Sequence, residues 1–269
     1  MPRMSEVAAS AGPSWLIDLP TCASTSSWAL ARIDALMHGA CVWTERQSAG
    51  RGRNGAAWYA PPGVLTASFV LDLPATVAIA QLSLCAGLAV AHAVEDLAPA
   101  AQVRLKWPND CYLDDRKLAG VLCERPATVS GRRDVVVIGI GLNLDPHWDQ
   151  TPGALSLVAG ASPSCVAEVC TPVPGMVPML TALRRYLLEA TGLLAAGGWR
   201  QVLPHLRSRD WLRDRQVVLE AGQQRHQGIG DGLDDDGRLR LRDGHGGTQS
   251  FASASVLTSV SGSGGQVRQ

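Results

Sequence analysis

The chain has 269 residues, of which 46% are hydrophobic and 18% are charged, and its 24 basic and 24 acidic side chains leave a formal net charge of zero. This composition supports a sizeable core, which excludes disordered and fibrous classes, and the charge balance gives no whole-chain attraction to nucleic acid or to an anionic membrane. Seven cysteines without a CxxC pair, and the lack of both a signal-peptide core and a run of about 20 apolar residues, predict a soluble cytoplasmic protein with reduced thiols.

Hydroxyl-bearing residues mark the start of the first predicted helix. After a polar tail over residues 1–13 and a short strand over residues 15–19, the run Ser24–Ser27 precedes a helical pattern that continues through Met37 and that Gly39 ends. A hydroxyl at this position caps an orphan backbone amide of the helix. Spare hydroxyls and amides at a helix start also bind polar ligands, so capping and ligand binding both stay open.

A glycine- and arginine-rich segment follows a predicted buried strand over residues 40–45. Its sequence from residue 50 to residue 58, GRGRNGAAW, contains the pattern GxGxxG. A dinucleotide-binding site needs a helix directly after these glycines, and Pro61 and Pro62 prevent one, so that interpretation is rejected. Residues 46–58, called the arginine loop below, carry no carboxylate and three guanidinium groups, at Arg46, Arg51 and Arg53. We predict that this flexible loop binds an anion and becomes ordered on binding; a merely solvated loop is the alternative.

A strand over residues 64–71 and a long helix from Pro74 to about Leu97 come next. The helix is apolar on most of its sides, which indicates a buried position. His92 lies within this helix and is interpreted as a packed side chain rather than a catalytic one.

The stretch RLKWPNDCYLDDRKLAGVLCE, residues 104–124, holds the densest set of polar side chains. Arg104 and Lys106 alternate with apolar residues, which is typical of a half-buried strand with two cations on one face. Pro108 ends this strand, and Asp110 lies just beyond it.

A two-residue turn at residues 114–115 would place Asp110 opposite Ala119 in a hairpin. Lys117 would then lie diagonally from Asp110 on the same face, at roughly 7–8 Å between α-carbons. At that separation the two charges do not neutralise each other, and they could hold a small charged ligand, or a metal and a phosphate, between them. Solvated charges on an ordinary hairpin are the alternative.

The run DVVVIGIGLNL, residues 134–144, is predicted to be a central strand because it is continuously apolar. Gly139 and Gly141 leave one face of this strand bare, which indicates that another backbone or a flat ligand packs there. Asn143 at its end could hydrogen-bond a base or a phosphate, and a turn-forming asparagine is an equal alternative.

The remaining chain divides into a helical part and a part made of short strands. Residues 146–174 are loop-like, and helices are predicted over residues 176–190 and 199–211, the second interrupted at Pro204. From about Asp214, short strands separated by Gly/Asp turns indicate a small antiparallel barrel of about 45 residues. Its predicted strands cover residues 216–220, 224–230, 238–242 and 249–252.

Together these features describe a pocket for two anions, one of them a nucleotide. The sequence has no GxxxxGK[ST] phosphate loop, no GxSxG hydrolase motif and no His/Cys cluster at metal-ligand spacing. Activation of a carboxylate by ATP fits best, because in-line attack on an α-phosphate needs charge neutralisation and positioning rather than a strong base.

Three motifs in this order and spacing, GRGRNGAAW (50–58), KWPNDCYLDDRKLAG (106–120) and GIGLN (139–143), resemble those of the biotin–protein ligase family, also called biotin–[acetyl-CoA-carboxylase] ligase. The resemblance implies an α+β fold in which helices flank a mixed sheet, as in class II synthetase-like biotin and lipoate ligases, with a small C-terminal SH3-like β-barrel. The expected division is a catalytic domain over residues 14–212, the barrel over residues 213–261 and a tail over residues 262–269.

The resemblance also implies a reaction. The family makes biotinyl-5′-AMP from biotin and ATP with Mg²⁺, and then transfers biotin to one lysine of a biotin carboxyl carrier protein or domain. A lipoate or other acyl-acid ligase of related fold, or a non-catalytic sensor of an acyl-adenylate, stays an alternative. We expect a monomer or homodimer without nucleic acid or membrane as a partner. The arginine loop begins too early in the chain to leave room for the N-terminal DNA-binding domain of those members that act as repressors.

By the resemblance, roles pass to individual residues of this chain. Biotin contacts are expected from the helix start, the arginine loop and two further positions: Ser24, Thr25, Ser26, Gln47, Gly50, Arg51, Gly52, Arg53, Lys117 and Gly139. Nucleotide contacts are expected from Arg51, Arg53, Asn109, Lys117 and Asn143. The expected catalytic residues are Lys117 on the reacting oxygens, Asp110 through Mg²⁺ or on the attacking lysine, and Arg53 near the carboxylate or phosphate.

Two departures from the family pattern concern the ligand contacts. Ala23 and Ser26 stand where the family often has aspartate and asparagine, so the flanking support of the hydroxyls is missing. Asn54 and Ala56 stand where some members carry arginine, and we expect this change to loosen the hold of the arginine loop on the adenylate.

Overall fold

A seven-stranded mixed sheet lies at the centre of the molecule. The computed structural model describes residues 12–126, 134–148 and 163–261, so the predictions for both tails and for part of the loop before residue 174 lie outside the described residues. In spatial order the strands are β1 (Leu16–Leu19), β2 (Ala40–Thr44), β5 (Val64–Asp72), β9 (Val135–Asn143), β8 (Arg116–Glu124), β7 (Asp110–Leu113) and β6 (Arg104–Lys106). The first two pair in parallel, and every other neighbouring pair is antiparallel.

Helices cover both faces of this sheet. α1 (Thr25–Leu30) packs on β5 and β9 from one side. On the other side α2 (Ile79–Leu97) packs on β8, with α3 (Met176–Ala195) and α4 (Trp199–Ser208) behind it. All nine residues of β9 are buried, as are the first eight of β5. The predicted central strand is therefore confirmed, since a continuous apolar run needs cover on both faces.

The first helix is shorter than the sequence predicts. It ends at Leu30, and the chain continues as a 3-10 turn over Ile33–Ala35 instead of a helix to Met37. Ile33 and Leu36 are both buried in the smaller apolar cluster, on the α1 side of the sheet. The turn is formed by i to i+3 backbone bonds, in which the N–H groups of Ala35 and Leu36 donate to the carbonyls of Arg32 and Ile33.

Two further helix predictions need correction. α2 begins at Ile79 rather than Pro74, because the Arg125 guanidinium donates to the carbonyls of Leu73, Pro74 and Val77 and holds a turn in front of the helix. Pro204 lies inside α4 and does not interrupt it. The predicted loop character before α3 is confirmed for residues 163–174, apart from a 3-10 turn over Val166–Glu168.

The β7–β8 hairpin has the predicted turn and an unpredicted bulge. Asp114 and Asp115 adopt positive φ angles of 47° and 61°, as a two-residue hairpin turn requires. The register then shifts by one residue at Leu118, so Asp110 pairs with Gly120 and not with Ala119. A bulge adds one unpaired residue to one strand and re-aims the side chains beside it.

A second, five-stranded antiparallel sheet follows α4. Its strands are β10 (Arg215–Ala221), β11 (Gln224–Leu233), β12 (Leu239–Arg242), β13 (Thr248–Phe251) and β14 (Ser255–Ser261), in the spatial order β13-β12-β11-β10-β14. Four of these strands were predicted and β14 was not, because its sequence SVLTSVS leads directly into a Ser/Gly-rich stretch.

This C-terminal sheet must curl. β13 and β14 are its two outer strands, yet only residues 252–254, the crossing segment, join them. Four strand spacings make a flat sheet about 19 Å wide, whereas the chain from residue 251 to residue 255 reaches about 14 Å at most. The curl is consistent with the predicted SH3-like barrel, although β13 and β14 do not pair to close it. Among the described helices, none has the length and apolarity to cross a membrane.

Candidate functional site

A cavity of about 250 Å³ lies where four separate parts of the chain meet on the central sheet. These parts are the start of α1, the arginine loop, the β6–β8 segment and the residues at the start of β14. The middle of β5 and of β9 forms its base, at Thr66, Ala67 and residues 139–141. The three sequence motifs that are far apart along the chain therefore meet in one place.

The start of α1 brings a set of buried hydroxyls to the cavity. Ser24 Oγ accepts a hydrogen bond from the backbone N–H of Ser27 at 3.3 Å, so the capping interpretation is confirmed, and Ser24 also lines the cavity. Thr25 donates its backbone N–H to Gln47 Oε1 at 2.9 Å. The hydroxyls of Thr25 and Ser26 lie 2.8 and 2.9 Å from Ser68 Oγ. Ser24, Thr25, Ser26, Gln47 and Ser68 are called the hydroxyl cluster below.

Ser68 was not identified from the sequence. It lies on β5, is fully buried, and links the Thr25 and Ser26 side chains. The signal available was a serine within the apolar run VLTASFVL, because a buried hydroxyl needs a hydrogen-bond partner.

Two glycines of β9 make room for side chains from other elements. A Cβ at Gly139 would lie 2.6 Å from Ser26 Oγ, and a Cβ at Gly141 would lie 2.2 Å from Cε2 of Trp58. The prediction of a bare strand face is confirmed, but a serine of α1 and an indole of the arginine loop pack there rather than another backbone. Gly50 does not line the cavity, and a Cβ there would meet Gln47 Nε2 at 2.4 Å.

The arginine loop has regular structure where a flexible loop was predicted. β3 (Gly50–Arg51) pairs with β4 (Ala57–Trp58), with a 3-10 turn between them. Arg51 Nη2 forms a salt bridge of 3.0 Å with Glu124 Oε2 at the end of β8. The loop itself has no carboxylate, so the partner comes from a distant strand that the sequence could not identify.

Lys117 and Asp110 form a direct ion pair, which corrects the predicted separation. Lys117 Nζ lies 2.7 Å from Asp110 Oδ1, without the alignment of a hydrogen bond. The bulge at Leu118 leaves Lys117 opposite Tyr112, on the face that also carries Asp110. A long lysine side chain spans a diagonal pair easily, so the α-carbon separation did not decide the charge separation.

Four cations and one carboxylate are among the residues that line the cavity: Arg51, Arg53, Lys106, Lys117 and Asp110. Burial lowers the pKa of Arg53 and of Lys106, and the nearby Asp110 charge partly offsets this effect in both. Both cations are therefore poorly solvated, and an anion in the cavity would stabilise their charged forms. Lys106, which donates to the Tyr112 hydroxyl at 3.0 Å, was placed on the correct strand by the sequence but was not assigned to the site.

The structure brings together most, but not all, of the predicted site residues. Asn109 lines the cavity and accepts a hydrogen bond of 3.4 Å from Arg53 Nη1. Asn143 does not line it: its buried amide donates to the carbonyls of Lys117 and Ser164 at 3.3 and 2.9 Å. The side chain of Asn143 thus holds the backbone next to the site instead of reaching into the cavity.

A second cavity, of about 360 Å³, lies among α2, α3 and α4. His92 lines it and stacks on Tyr186 with ring centroids 5.6 Å apart, so the prediction of a packed histidine is confirmed. Its lining has neither the hydroxyl cluster nor the four cations, which leaves the first cavity as the candidate site. Within the described ranges, no three or more His, Cys, Asp or Glu side chains are grouped to hold a metal ion.

Comparison with known proteins finds relatives along most of the chain. A family model described as "Biotin/lipoate A/B protein ligase family" matches residues 21–143. The biotin–[acetyl-CoA-carboxylase] ligase of Paracoccus denitrificans is 32% identical over 241 residues, which cover 87% of this chain and 96% of that protein. The bifunctional ligase/repressor BirA of Escherichia coli is 42% identical over 129 residues, which cover 47% of this chain and only 39% of that protein.

A solved structure has the same fold. The biotin protein ligase from Aquifex aeolicus, in complex with biotin and ATP, aligns with a TM-score of 0.77 and 24% sequence identity. The alignment covers 90% of this chain and 97% of that one. The predicted α+β fold, a mixed sheet flanked by helices, is confirmed by this likeness.

Proposed function

The chain belongs to the biotin–protein ligase family, and on that premise we propose that it activates biotin with ATP to biotinyl-5′-AMP and transfers the biotin to a lysine of a biotin carboxyl carrier domain. The observation that carries this proposal is a single cavity lined both by the hydroxyl cluster, apart from Ser68 behind it, and by four cations. The neutral polar head group of biotin requires hydrogen-bonding side chains, and the biotin carboxylate and the ATP phosphates require cations.

The hydroxyl cluster suits the ureido head of biotin. Donors and acceptors come from Thr25, Ser26 and Gln47, which are held by one another and by Ser68, and from Ser24, which is held by the backbone N–H of Ser27. Side chains that are held in place before the ligand arrives lose little conformational freedom on binding. The biotin carboxylate would then point toward the cations.

The cations support the first half-reaction. A carboxylate oxygen of biotin attacks the α-phosphorus of ATP, a carboxyl-oxygen–phosphorus bond forms, and pyrophosphate leaves with the electrons of the broken phosphoanhydride bond. Lys117 and Arg53 would hold the oxygens on which negative charge accumulates. Lys117 must exchange Asp110 for these oxygens, and the unaligned geometry of the ion pair favours such an exchange.

Asp110 has a role in the second half-reaction. The amine of the acceptor lysine attacks the acyl carbonyl, an amide bond forms, and AMP leaves. Once Lys117 turns to the ligand, the Asp110 carboxylate is free to orient the attacking amine and to accept a proton from it.

Mg²⁺ is the expected companion of ATP. The ion prefers one or two carboxylates together with phosphate oxygens and water, and Asp110 is the carboxylate that lines the cavity. Asp110 would be its protein ligand, and the ion would neutralise phosphate charge when bound.

We also propose two units within the chain. Residues 14–212 form the catalytic unit, with the central sheet and the helices, and residues 213–261 form an SH3-like unit. The change from helices to short strands after α4 and the separate five-stranded sheet support this division.

Exchange of labelled pyrophosphate into ATP tests the acyl specificity. We expect exchange that depends on biotin and does not occur with lipoate. Exchange with lipoate alone would favour a lipoate ligase, and tight binding of biotinyl-5′-AMP without any exchange would favour a sensor. Incorporation of labelled biotin into a purified carrier domain, with its acceptor lysine replaced by arginine as the control, tests the transfer step.

A further inference from the structure

The arginine loop contacts the C-terminal sheet across about two hundred residues of sequence. Asn54 Nδ2 donates to Ser255 Oγ at 3.3 Å, and Arg53 Nη2 donates to Ser253 Oγ at 3.5 Å. Ser253 belongs to the crossing segment, and Ser255 is the first residue of β14. Both contacts therefore join the tip of the loop to the end of the sheet where its outer strands approach each other.

The same two segments line the candidate site. Residues 254–256 line the cavity, as do Gly52, Arg53 and Asn54 of the loop. One part of the cavity wall is thus shared between two elements that are held together by side-chain hydrogen bonds. If these elements separate, the cavity opens toward solvent on that side.

The tip of the loop has a backbone conformation that suits this contact. Asn54 has a φ of 54° and a ψ of 30°, in the left-handed region, which asparagine adopts more readily than most residues. Its short amide side chain then reaches Ser255. Arg51 is fixed by its salt bridge with Glu124, and Arg53 also donates to Asn109, so the contacts with Ser253 and Ser255 are the ones that join the tip to the C-terminal sheet.

We propose that Ser255, together with Ser253, is a positioning residue that holds the arginine loop against the C-terminal sheet and thereby slows the escape of the acyl-adenylate. The proposal rests on the proposed function, since it assigns a role within the same site. Neither serine acts on the reacting atoms. The two serines affect how long the acyl-adenylate stays bound between the two half-reactions. If this reactive anhydride is released at that stage, ATP has been consumed without transfer of the acyl group.

The test measures release of labelled biotinyl-5′-AMP from the full chain, after dilution into an excess of unlabelled intermediate. We expect about five- to tenfold faster release from the Ser253→Ala/Ser255→Ala variant, which is the effect of losing hydrogen bonds of ordinary strength. Ser250→Ala is the matched control, because Ser250 is exposed on β13 and does not line the cavity. Its release rate should equal that of the wild type.

A double-mutant cycle separates the contact from a general loss of order. Asn54→Gly removes the side chain and keeps the left-handed backbone accessible, which alanine would not. We expect Ser255→Ala to have little further effect in the Asn54→Gly background, because the two groups act through one contact. The proposal would be overturned if the increases in release rate from Asn54→Gly and Ser255→Ala multiplied in the double variant. It would also be overturned if Ser255→Ala and Ser253→Ala/Ser255→Ala both released the intermediate at the wild-type rate.

Hydrogen exchange gives a second readout that does not depend on catalysis. Without ligand, the amides of residues 51–57 should exchange faster in Ser253→Ala/Ser255→Ala than in the wild type, while those of β9 stay unchanged. Unchanged exchange in residues 51–57 would contradict the contact itself. A wild-type chain that forms no biotinyl-5′-AMP would sink the proposed function, and the exchange experiment would still decide whether the serines hold the loop.

Discussion

Single side chains in the cavity serve more than one partner. Lys117 is paired with Asp110, lies 5.6 Å from the ring centroid of Trp58, and has its backbone carbonyl held by Asn143. An ammonium in this position has alternatives within reach, which lets it move to a ligand oxygen without losing all favourable contacts. The pair with Asp110 is therefore best understood as the state before ligand binding.

Replacement of either key cation should remove catalysis without unfolding the chain. We expect Lys117→Ala and Arg53→Ala each to lower kcat/KM for adenylate synthesis by at least about a hundredfold, because each deletes a charge placed where negative charge develops. Pyrophosphate exchange and circular dichroism measure the two effects. Arg185→Ala, an exposed arginine on α3 paired with Asp96, is the control. Biotinylation of a carrier domain at the wild-type rate by both site variants would show that the assignment is wrong.

Asp210 is a buried acid between α4 and β10 whose charge is poorly compensated. Its Oδ1 accepts the Leu212 backbone N–H at 2.9 Å, and its Oδ2 is buried without a hydrogen-bond partner. Burial raises the pKa of Asp210 to about 6, and the nearby Arg213 and Arg104 only partly oppose this shift. As pH rises from 4 toward 6, the folded state therefore still holds a proton on Asp210, whereas the unfolded state has already released it.

The direction of the pH effect follows from this shift. With the pKa higher in the folded state, the ionised carboxylate destabilises the fold above pH 6, and the cost disappears as pH falls toward 4. We expect Asp210→Asn to raise the free energy of unfolding by about 1–3 kcal/mol at pH 7.5 and to change it little near pH 4. Urea unfolding at both pH values measures this. Asp214→Asn, an exposed neighbour, should not show the difference, and equal effects of Asp210→Asn at both pH values would rule out the buried charge as the cause.

Elements of this fold approach one another closely where glycine allows it. α1 rests on β9 through Ser26 at Gly139, and the arginine loop rests on β9 through Trp58 at Gly141. The bulge at Leu118 also shapes the site, because it determines which residues of β8 face the cavity. The site depends on these contacts between elements more than on any one element.

A methyl group at Gly139 should disturb ligand binding. The added Cβ would lie 2.6 Å from Ser26 Oγ, so we expect Gly139→Ala to shift α1 and to weaken biotin binding at least about tenfold, as a misplaced set of donors and acceptors would. Titration calorimetry measures the affinity.

Gly192→Ala is the matched control for this prediction. Gly192 lies within α3, and a Cβ there meets nothing within 4 Å. Because alanine favours the helix over glycine by about 1 kcal/mol, the control should bind biotin normally and unfold at a higher urea concentration. Biotin affinity unchanged by Gly139→Ala would show that the Ser26 contact adapts without cost.

At the scale of the whole molecule, the two sheets are joined by specific hydrogen bonds as well as by apolar packing. Trp107 Nε1, which is buried, donates to the Gly237 carbonyl at 3.2 Å, and Trp199 Nε1 donates to the Asp235 carbonyl at 2.6 Å. The β11–β12 turn of the C-terminal sheet thus contacts the segment after β6 and the start of α4. The C-terminal sheet is also attached through Ser253 and Ser255 and through the salt bridge between Arg215 of β10 and Asp115 of the β7–β8 turn.

These attachments predict that both units unfold together. Amide exchange of β5 and β9 reports on the central sheet, and amide exchange of β10–β12 reports on the C-terminal sheet. We expect one shared midpoint in urea. Trp107→Phe leaves the Gly237 carbonyl without its donor and should lower both midpoints by the same amount, corresponding to about 1–3 kcal/mol. Two separate midpoints in the wild type would show that the units are independent.

The amino-acid sequence determined the parts of this protein whose physics is local or periodic. The apolar run of β9, the turn at Asp114 and Asp115, the N-terminal cap of α1 and the four strands between turns were all readable, because each depends on a residue's neighbours along the chain. The motifs also located the cavity walls, since Gly139, Lys117 and the arginine loop do meet there.

Only the tertiary structure decided which side chains pair. The Lys117–Asp110 ion pair depends on a bulge, and Arg51 pairs with a carboxylate on β8. Ser68 joins the hydroxyl cluster from β5, and the tip of the arginine loop contacts Ser255. The Asn143 amide donates to backbone carbonyls instead of lining the cavity. These partners lie between 7 and about 200 residues apart along the chain, and a side chain's choice among them is fixed by distances of a few ångströms, which packing sets and sequence patterns do not contain.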